Sequence, residues 1–435
     1  MPKNIEKNLM EKFGQYRNNY GKEVREYNAM NILIISNFFF PDNRIASFRM
    51  NAFARYFREA GHEVTVVTEG CCDSTTFWEG CEVHYLKDPV ISDSQMRQCA
   101  QSRRMWILRR VVRGLEWRLT LDRKRIWRIR AQKCVKMLLA GRKYDIVLTT
   151  FPRLSPHMIA LAMRKEGYQF YWIADMRDEM SERKWLRKDR WMISRRLVGP
   201  ERRIVNNADL VLSVSKPILD GFRSKTTHNR FLEIKNGYDY EEVHESCFQN
   251  HFTMGYIGSF YGEITPDNWF KAYSELICEG RLPADSKIKI VGNNMRLKIP
   301  DSIKSNVEEI DAVIHDETVK ISVYDTDVLV MIYPNTGRKG VYSGKLLDYL
   351  ATNKPIIAMY DPTDVVGTLM EETKAGFAVD ESDIKGIKEA IMKCYHIWQN
   401  REVLPRNWDN IRRYSRRYQT RLLLDYLDFK LLCNN

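Results

Sequence analysis

The chain has 435 residues, of which 44% are hydrophobic and 11% aromatic, and its 69 Lys and Arg exceed its 56 Asp and Glu by 13 charges. This composition supports a buried core and excludes an intrinsically disordered chain. Because one core usually divides beyond roughly 250 to 300 residues, we expect two domains. No apolar run reaches the roughly 18 residues of a membrane span, and the N-terminus lacks the apolar stretch of a signal peptide, so we expect neither a span nor export by that route.

Cysteine and histidine usage narrows the function classes further. The nine Cys show no CxxC spacing, and the eight His form no HExxH motif. We therefore expect neither a disulfide framework nor a protein-bound catalytic metal, which suits a reducing cytoplasm.

Apolar runs alternate with helical patterns in the first half of the chain. The first run, residues 31–36, is followed by a helical pattern over 47–60 that ends at Gly61, and by a second run over 63–68. This βαβ pattern implies parallel strands and a right-handed crossover. Further runs predict strands at residues 144–149, 170–175, 209–213 and 231–235. The first half therefore predicts a doubly wound α/β domain.

The alternation restarts in the second half, and the C-terminus is helical in pattern. Its apolar runs predict strands at residues 252–258, 287–292, 327–333 and 355–359. The expected organisation is a polar N-terminal extension (1–29), a first domain (30–246), a second domain (247–405) and a C-terminal helix (406–435). We expect the extension to contribute nothing to the core, because it is polar and the first strand starts naturally at Met30.

Ligands of open α/β sheets bind outside the carboxyl ends of the strands, so two such domains are expected to face one cleft. The loop after the first strand has no GxGxxG, which disfavours a dinucleotide enzyme. Arg44 and Arg49 follow that strand near a helix start and suit an anionic ligand, although solvated surface arginines are an equal alternative.

Two carboxylates and an arginine follow the predicted strand over residues 170–175. The segment Asp175-Met-Arg177-Asp178 can position an acceptor hydroxyl or a sugar at the strand's carboxyl end. Aspartates at such positions also cap helices, so a structural role is equally open.

The most informative segment runs from Asn335 to Leu350, between two predicted buried strands. Its glycines allow a tight backbone, Ser343 can cap a helix starting at about Gly344, and that helix presents free N–H groups to a phosphate. Lys345 adds a point charge, and Asp348, one turn further on, can accept hydrogen bonds from ribose hydroxyls. The arrangement indicates phosphate and ribose binding; the alternative is an ordinary glycine-bearing loop and amphipathic helix.

An ordered series of segments resembles family 4 glycosyltransferases of the B fold, particularly those that build bacterial surface polysaccharides. The series comprises NILIISNFFFPDN, SFRMNAFARYFREAGHEVTVVT, YDIVLTTFPRLSP, IADMRDEM, ADLVLSVSKPI, FLEIKNGYD, MGYIGSF and YSGKLLDYLATNKPII. The resemblance covers about residues 30 to 380. It implies two Rossmann-like domains facing a cleft, with a nucleotide-sugar donor on the second domain, the acceptor on the first, and a C-terminal helix that crosses back.

The family's site residues match this chain in part. Asp348 falls where the family has the second Glu of a pair separated by seven residues, whereas the first falls at Gly340 and is missing. The Arg that often follows the first strand of the second domain is also missing, because Gly258 is followed by Ser259. Residue patterns and resemblance together give a catalytic set of Arg177, Asp178 and Lys345, and a donor-binding set of Gly258, Ser259, Tyr342, Ser343, Gly344, Lys345, Asp348, Arg44 and Arg49.

A basic segment stands out between residues 103 and 136, which carry thirteen Lys or Arg and two acidic residues. On a helical wheel its contact stripe is Trp106, Arg110, Arg113 and Trp117. Tryptophans interleaved with arginines suit the headgroup layer of an anionic membrane. An ordinary surface helix with cation-π pairs and a nucleic-acid surface are the alternatives, and no nucleic-acid motif is recognisable.

These observations predict a cytoplasmic glycosyltransferase, peripheral at the inner face of a bacterial membrane, that uses a UDP- or GDP-linked sugar and a lipid-linked or polysaccharide acceptor. The resemblance implies retention of anomeric configuration without a metal or other cofactor, with the leaving diphosphate taking the acceptor proton. A non-catalytic scaffold of the same fold remains an alternative, and an NAD-dependent sugar-nucleotide enzyme is a weaker one.

Overall fold

The structure is a computed structural model that describes residues 27–42, 44–88, 111–112, 114–115, 121–122, 124–181 and 191–432. The chain forms two units, one up to Lys235 and again from Gln419, the other from Asn236 to Tyr418. The stripe Trp106, Arg110, Arg113 and Trp117 lies outside the described residues. No helix in the described part is long and apolar enough to cross a membrane.

The first unit contains an eight-stranded sheet in the order β3-β4-β2-β1-β5-β6-β7-β8. Its strands are β1 (Asn31–Ile35), β2 (Glu63–Gly70), β3 (Ser74–Trp78), β4 (Cys81–Lys87), β5 (Ile146–Thr150), β6 (Tyr171–Arg177), β7 (Leu210–Ser213) and β8 (Phe231–Glu233). Its helices are α1 (Ile45–Glu59), α2 (Arg125–Gly141), α3 (Ser155–Lys165), α4 (Trp191–Asn207) and α5 (Lys216–Arg223). Neighbouring strands are parallel except β3 and β4.

The second unit contains a parallel six-stranded sheet in the order β11-β10-β9-β12-β13-β14. Its strands are β9 (Thr253–Ile257), β10 (Lys287–Val291), β11 (Val307–Ile310), β12 (Val328–Ile332), β13 (Ile356–Met359) and β14 (Gly376–Val379). A 3-10 helix spans Asp301–Asn306, and the α-helices are α6 (Asp267–Cys278), α7 (His315–Tyr324), α8 (Gly344–Leu350), α9 (Val365–Thr373), α10 (Ile384–Gln399) and α11 (Trp408–Arg412). The last helix, α12 (Arg416–Leu432), leads back to the first unit.

The central strands are buried on both faces. In β1, Leu33 and Ile35 join one hydrophobic cluster while Ile32 and Ile34 join another, as the two-residue period of a strand requires. The prediction of two doubly wound parallel-sheet domains is confirmed. Strands β3, β4, β11 and β14 were not predicted, because they are partly exposed and lack a continuous apolar run.

Both chain ends differ from the sequence-based boundaries. The Tyr27 hydroxyl donates to Asp425 Oδ1 at 2.8 Å, and its ring packs against the cluster that contains Ile32, so the expectation that residues up to 29 add nothing to the core fails at this position. The first unit ends at Lys235 and resumes at Gln419, whereas we placed these boundaries at 246 and 406.

A buried ion pair joins several elements of the first unit. Arg49 of α1 donates from Nε to Asp175 Oδ2 at 3.1 Å and from Nη2 to Oδ1 at 2.9 Å. Its Nη1 donates to the Lys235 carbonyl at 2.9 Å, and the Thr150 hydroxyl donates to Asp175 Oδ2 at 3.0 Å. Both charged side chains are almost fully buried. The pair therefore ties α1 to β5, β6 and the segment after β8.

We predict strong energetic coupling within this pair. Arg49→Met and Asp175→Leu should each lower the free energy of unfolding by about 3–5 kcal/mol, because each leaves a buried charge without its partner. The double variant should recover most of that loss, since two apolar side chains replace the pair. Urea unfolding of the four proteins tests this; losses that simply add in the double variant would contradict it.

Candidate active site

The loops after β9 and β12 meet at one edge of the second sheet, because these neighbouring strands are parallel. Gly258, Ser259 and Phe260 form the first loop, and residues 333–343 form the second and lead into α8. The structure thus brings the donor-binding residues predicted around Gly258 and around Lys345 together within the second unit.

Lys345 lies directly over Gly258. The backbone of Gly258 has φ +113°, and a Cβ atom there would lie 2.3 Å from the Lys345 Nζ. The ammonium sits 4.7 Å from the centroid of the Tyr256 ring and 3.4 Å from its hydroxyl oxygen. Any side chain at position 258 would therefore displace the lysine, so glycine is required for space as well as for conformation.

The surroundings of Lys345 leave its charge uncompensated. Burial lowers the pKa of its ammonium to about 8. No carboxylate lies within ion-pair distance of it among the residues that the structure describes, whereas the nearby Lys339 pairs with Asp361, and this hydrogen bond raises the pKa of Lys339. A desolvated ammonium without a counter-charge favours an anionic ligand.

The helix that carries Lys345 is short. It spans Gly344–Leu350, seven residues, and Ser343 precedes it in an extended conformation without a side-chain cap hydrogen bond. The prediction of Ser343 at the N-cap position is right, but the prediction that its hydroxyl caps is wrong.

Two tyrosines that sequence reasoning missed fix this helix. The Tyr349 hydroxyl accepts a hydrogen bond from the Ile257 N–H at 2.9 Å, and the Tyr240 hydroxyl donates to the Asp348 carbonyl. The half-exposed Asp348 side chain lies one turn beyond Lys345. Both tyrosines lie about 90 or more residues from their partners, and no local sequence signal predicts such contacts.

A carboxylate from another loop holds the backbone at Gly340. The Gly340 N–H donates to both carboxylate oxygens of Asp364, at 3.1 and 2.9 Å, and Gly340 has φ +79°. The Tyr360 hydroxyl contacts the Val341 carbonyl at 3.3 Å. The position where the resemblance implies a glutamate is thus a buried glycine whose backbone Asp364 fixes.

Ser259 and Tyr342, also predicted to bind the donor, lie in the same loops. The Ser259 hydroxyl accepts from the Asn294 N–H at 3.1 Å, and Phe260 stacks on Tyr256 with ring centroids 4.2 Å apart. Tyr342 meets Tyr414 edge to face at 6.3 Å.

Arg177 and Asp178 end β6 in the first unit. Arg177 has φ +56°, and the register with β7 shifts between Asp175 and Arg177. Such a conformation costs a non-glycine residue about 1–3 kcal/mol and often marks functional sites. The Arg177 Nη1 lies 3.5 Å from the Ala46 carbonyl, and Asp178 accepts from the Glu179 N–H at 2.9 Å.

The two arginines predicted to bind an anion differ in placement. Arg44 is 43% exposed, pairs with Asp42 and lies 4.2 Å over the Phe38 ring. Arg49 is buried in its pair with Asp175, and its Nη1 donates to the Lys235 carbonyl, so its contact with the donor stays a prediction.

The C-terminal part of the basic segment forms ion pairs, and those of Lys124 are buried. The Lys124 Nζ lies 2.7 Å from Glu69 Oε1 and 3.0 Å from Asp88 Oδ2, with all three side chains buried. Arg128 pairs with Asp122 at 3.1 Å. Arg130 and Lys136 pair with Asp73 and Glu166 respectively. Among the residues of this segment that the structure describes, Lys124, Arg128, Arg130 and Lys136 are therefore paired within the unit, so the sequence count of thirteen cations overstates the charge available to a partner.

Comparisons with known proteins agree with this architecture. Residues 48–242 match the sequence profile of Glycosyltransferase Family 4. No curated protein sequence matches the chain significantly.

Solved structures match over nearly the whole chain. A glycosyltransferase from Rickettsia africae covers 94% of this chain and 100% of its own at 12% identity, with a TM-score of 0.59. A UDP-forming α,α-trehalose-phosphate synthase from Burkholderia xenovorans covers 91% and 100% at 9% identity, with a TM-score of 0.59. The lipopolysaccharide outer core galactosyltransferase WaaB covers 92% and 100% at 11% identity, with a TM-score of 0.54. The chain therefore has the two-domain B fold of these glycosyltransferases, and its residues 48–242 match the profile of Glycosyltransferase Family 4.

Proposed function

We propose that the protein transfers a sugar from a UDP- or GDP-linked donor to a lipid-linked or polysaccharide acceptor in bacterial surface-polysaccharide synthesis, with retention of configuration. The second unit binds the donor and the first unit binds the acceptor. The sequence resemblance supports this assignment, as do the galactosyltransferase and UDP-forming synthase among proteins of similar fold.

The observation that carries the proposal is the uncompensated ammonium of Lys345. The ammonium packs against Gly258 and Tyr256, which shield it from water. Among the described residues, no carboxylate lies within ion-pair distance of it. A diphosphate at the carboxyl edge of β9 and β12 supplies the missing negative charge. The cost of burying the ammonium is then recovered when the donor binds.

This placement suits catalysis as well as binding. Negative charge grows on the diphosphate as the bond to the sugar breaks, and a fixed ammonium in a poorly solvated site stabilises that charge. Asp348 accepts hydrogen bonds from the ribose hydroxyls one helical turn away. The leaving diphosphate takes the acceptor proton, as the resemblance implies, so the proposal includes no metal.

Arg177 and Asp178 are proposed to position the acceptor on the first unit. Arg177 keeps a strained backbone at the end of β6, and Asp178 follows it with a half-exposed carboxylate. That carboxylate is a suitable acceptor for a sugar hydroxyl.

A second candidate function follows from Gly340. The carboxylate that the family has at this position is absent, and Asp364 engages the backbone there. A protein with this fold but without transferase activity would act as a non-catalytic scaffold in polysaccharide assembly. Isothermal titration with UDP, GDP and their sugars separates the two, because a scaffold of this kind binds no nucleotide at millimolar concentration.

Removing either proposed donor contact should weaken nucleotide binding. Lys345→Ala loses the phosphate partner and Asp348→Ala the ribose acceptor, so each should bind UDP- or GDP-sugars about 10- to 100-fold more weakly. Lys320→Ala removes an exposed lysine of the same unit and serves as the charge-matched control. Wild-type affinity in both folded site variants would show that the donor binds elsewhere.

Donor affinity should depend on pH through Lys345. Because burial lowers the pKa of its ammonium to about 8, the lysine loses its charge as the pH rises through that value. Affinity for UDP-glucose, whose diphosphate diester keeps its charge, should be constant near pH 7 and fall by up to about tenfold per pH unit above 8.

Lys345→Arg should bind with an affinity that hardly changes over this range, because a guanidinium keeps its charge. Lys345→Met should bind weakly and without pH dependence. Parallel profiles for wild type and the arginine variant would assign the titration to another group.

We also propose that residues 103–136 hold the protein on anionic membrane. Trp106, Arg110, Arg113 and Trp117 are the proposed contacts, on the evidence of the sequence pattern alone. Vesicle co-sedimentation should show binding that requires anionic lipid and weakens with salt, since charges are screened over about 8 Å at physiological ionic strength. Arg110→Glu/Arg113→Glu and Trp106→Ala/Trp117→Ala should each reduce it.

Lys143→Glu/Lys385→Glu is the control, because it makes the same charge change at lysines that are 85% and 88% exposed elsewhere in the chain. Equal binding by all variants, or indifference to lipid charge, would reduce the stripe to a solvated surface.

A further inference from the structure

The chain leaves β6 through a strained three-residue turn. The Asp178 N–H donates to the Met176 carbonyl at 2.5 Å, and Arg177 between them has φ +56°. A turn closed in this way with a positive φ at its central residue is rare and strained. Such strain persists only where the surrounding structure fixes it, so the contacts around the turn show what holds Arg177 and Asp178 in place.

Buried polar contacts fix the chain before the turn and at the turn. Before it, Asp175 is held by its ion pair with Arg49. At the turn, the Ser213 hydroxyl of β7 donates to the Arg177 carbonyl at 3.0 Å. Pairing between β6 and β7 ends at Arg177, so the N–H groups that follow need partners outside the sheet.

Glu201 of α4 binds the segment that follows the turn. Its Oε2 accepts from the N–H groups of Met180 and Ser181, at 2.5 and 2.9 Å, and its Oε1 accepts from the Ser181 hydroxyl at 2.6 Å. The Lys225 ammonium of α5 lies 2.7 Å from the same Oε1, and the Glu201 side chain is fully buried. A buried carboxylate is stable only with such partners, so these contacts fix both the carboxylate and the backbone that it binds.

We propose that Glu201 is a positioning residue for the acceptor. By binding the backbone of Met180 and Ser181, it holds Arg177 and Asp178 in the conformation that receives a sugar hydroxyl. This inference rests on the proposed role of Arg177 and Asp178 in acceptor binding. Because Glu201 is fully buried, it acts through the turn and not by contact with the acceptor.

The backbone contacts distinguish this role from that of an ordinary buried ion pair. An ion pair needs only Glu201 and Lys225 to face each other, whereas the two N–H bonds connect the carboxylate to the chain directly after Asp178. A small displacement of a group that positions a substrate can lower the rate by about 100-fold. We therefore expect the accepting oxygen of Glu201, more than its charge, to matter for transfer.

Two double variants separate the accepting oxygen from the charge. Glu201→Gln/Lys225→Met and Glu201→Leu/Lys225→Met both remove the ion pair, and neither leaves a buried charge without its partner. They differ in one group, because the glutamine amide oxygen can still accept from the Met180 and Ser181 N–H groups and leucine cannot.

Hydrogen exchange resolved to single amides tests the positioning without any substrate. The Met180 and Ser181 amides should be protected in wild type and in Glu201→Gln/Lys225→Met. In Glu201→Leu/Lys225→Met they should exchange at least about tenfold faster, because each amide loses its hydrogen bond. Equal exchange in the two double variants would overturn the proposal. Unprotected amides in wild type would also overturn it, which keeps the test decisive if the leucine variant does not fold.

Transfer kinetics test the role of the turn toward the acceptor, with UDP-glucose as the donor and octyl β-glucoside as the acceptor probe. Glu201→Leu/Lys225→Met should lower kcat/KM for the acceptor by about 10- to 100-fold and leave donor affinity unchanged. Glu201→Gln/Lys225→Met should transfer as wild type does. Asp88→Asn, which weakens another buried ion pair of the same unit, is the control and should change neither quantity.

Equal kcat/KM in the two double variants would overturn the proposal, whether both match wild type or both are impaired, since the accepting oxygen would then not matter. Absence of transfer by wild type, with the exchange difference present, would contradict the proposed function alone. The exchange difference would still support the positioning of the turn by Glu201, because that measurement needs neither donor nor acceptor.

Discussion

The parallel direction of the strands governs where polar chemistry can lie in this protein. Parallel strands are flanked by helices and buried on both faces, so their side chains are apolar and their polar neighbours collect at the strand ends. Because all strands except β3 run the same way within each sheet, their carboxyl ends share one edge. Gly258 and the loop before Lys345 meet for this reason, as do Asp175 and Thr150 in the other sheet.

Buried cations at these edges are distinguished by what compensates them. Arg49 has Asp175, and Lys124 has two carboxylates. Among the described residues, the partners of the Lys345 ammonium are an aromatic ring and a hydroxyl at 3.4 Å, both of Tyr256. A buried charge that the chain itself neutralises holds neighbouring elements together. A buried charge without a counter-ion costs desolvation free energy, and an anionic ligand that binds to it offsets this cost.

The sequence alone predicted the central strands and much of the donor loop, and it missed features set by distant contacts. Continuous apolar runs identify β1 and β12 because both faces are buried, but the polar edge strand β3 has no such pattern. Lys345 was identified from its local glycines, yet its pKa is lowered by burial in the folded chain, where it lies against Tyr256, 89 residues away. The buried pairing of Arg49 was missed for the same reason, since its partner Asp175 is 126 residues distant.

Because α12 belongs to the first unit, that unit cannot be completed until the end of the chain has been synthesised. Its core cluster contains Ile32 and Ile34 from near the start of the chain together with Leu423 and Leu427 from near its end. About 180 residues of the second unit are translated between them. At about 5–20 residues per second this takes roughly 10–40 s. During this time α12 does not yet cover its face of the first sheet. The second unit can therefore complete its core on the ribosome before the first, although the first emerges earlier, and the exposed sheet face is a natural client surface for chaperones.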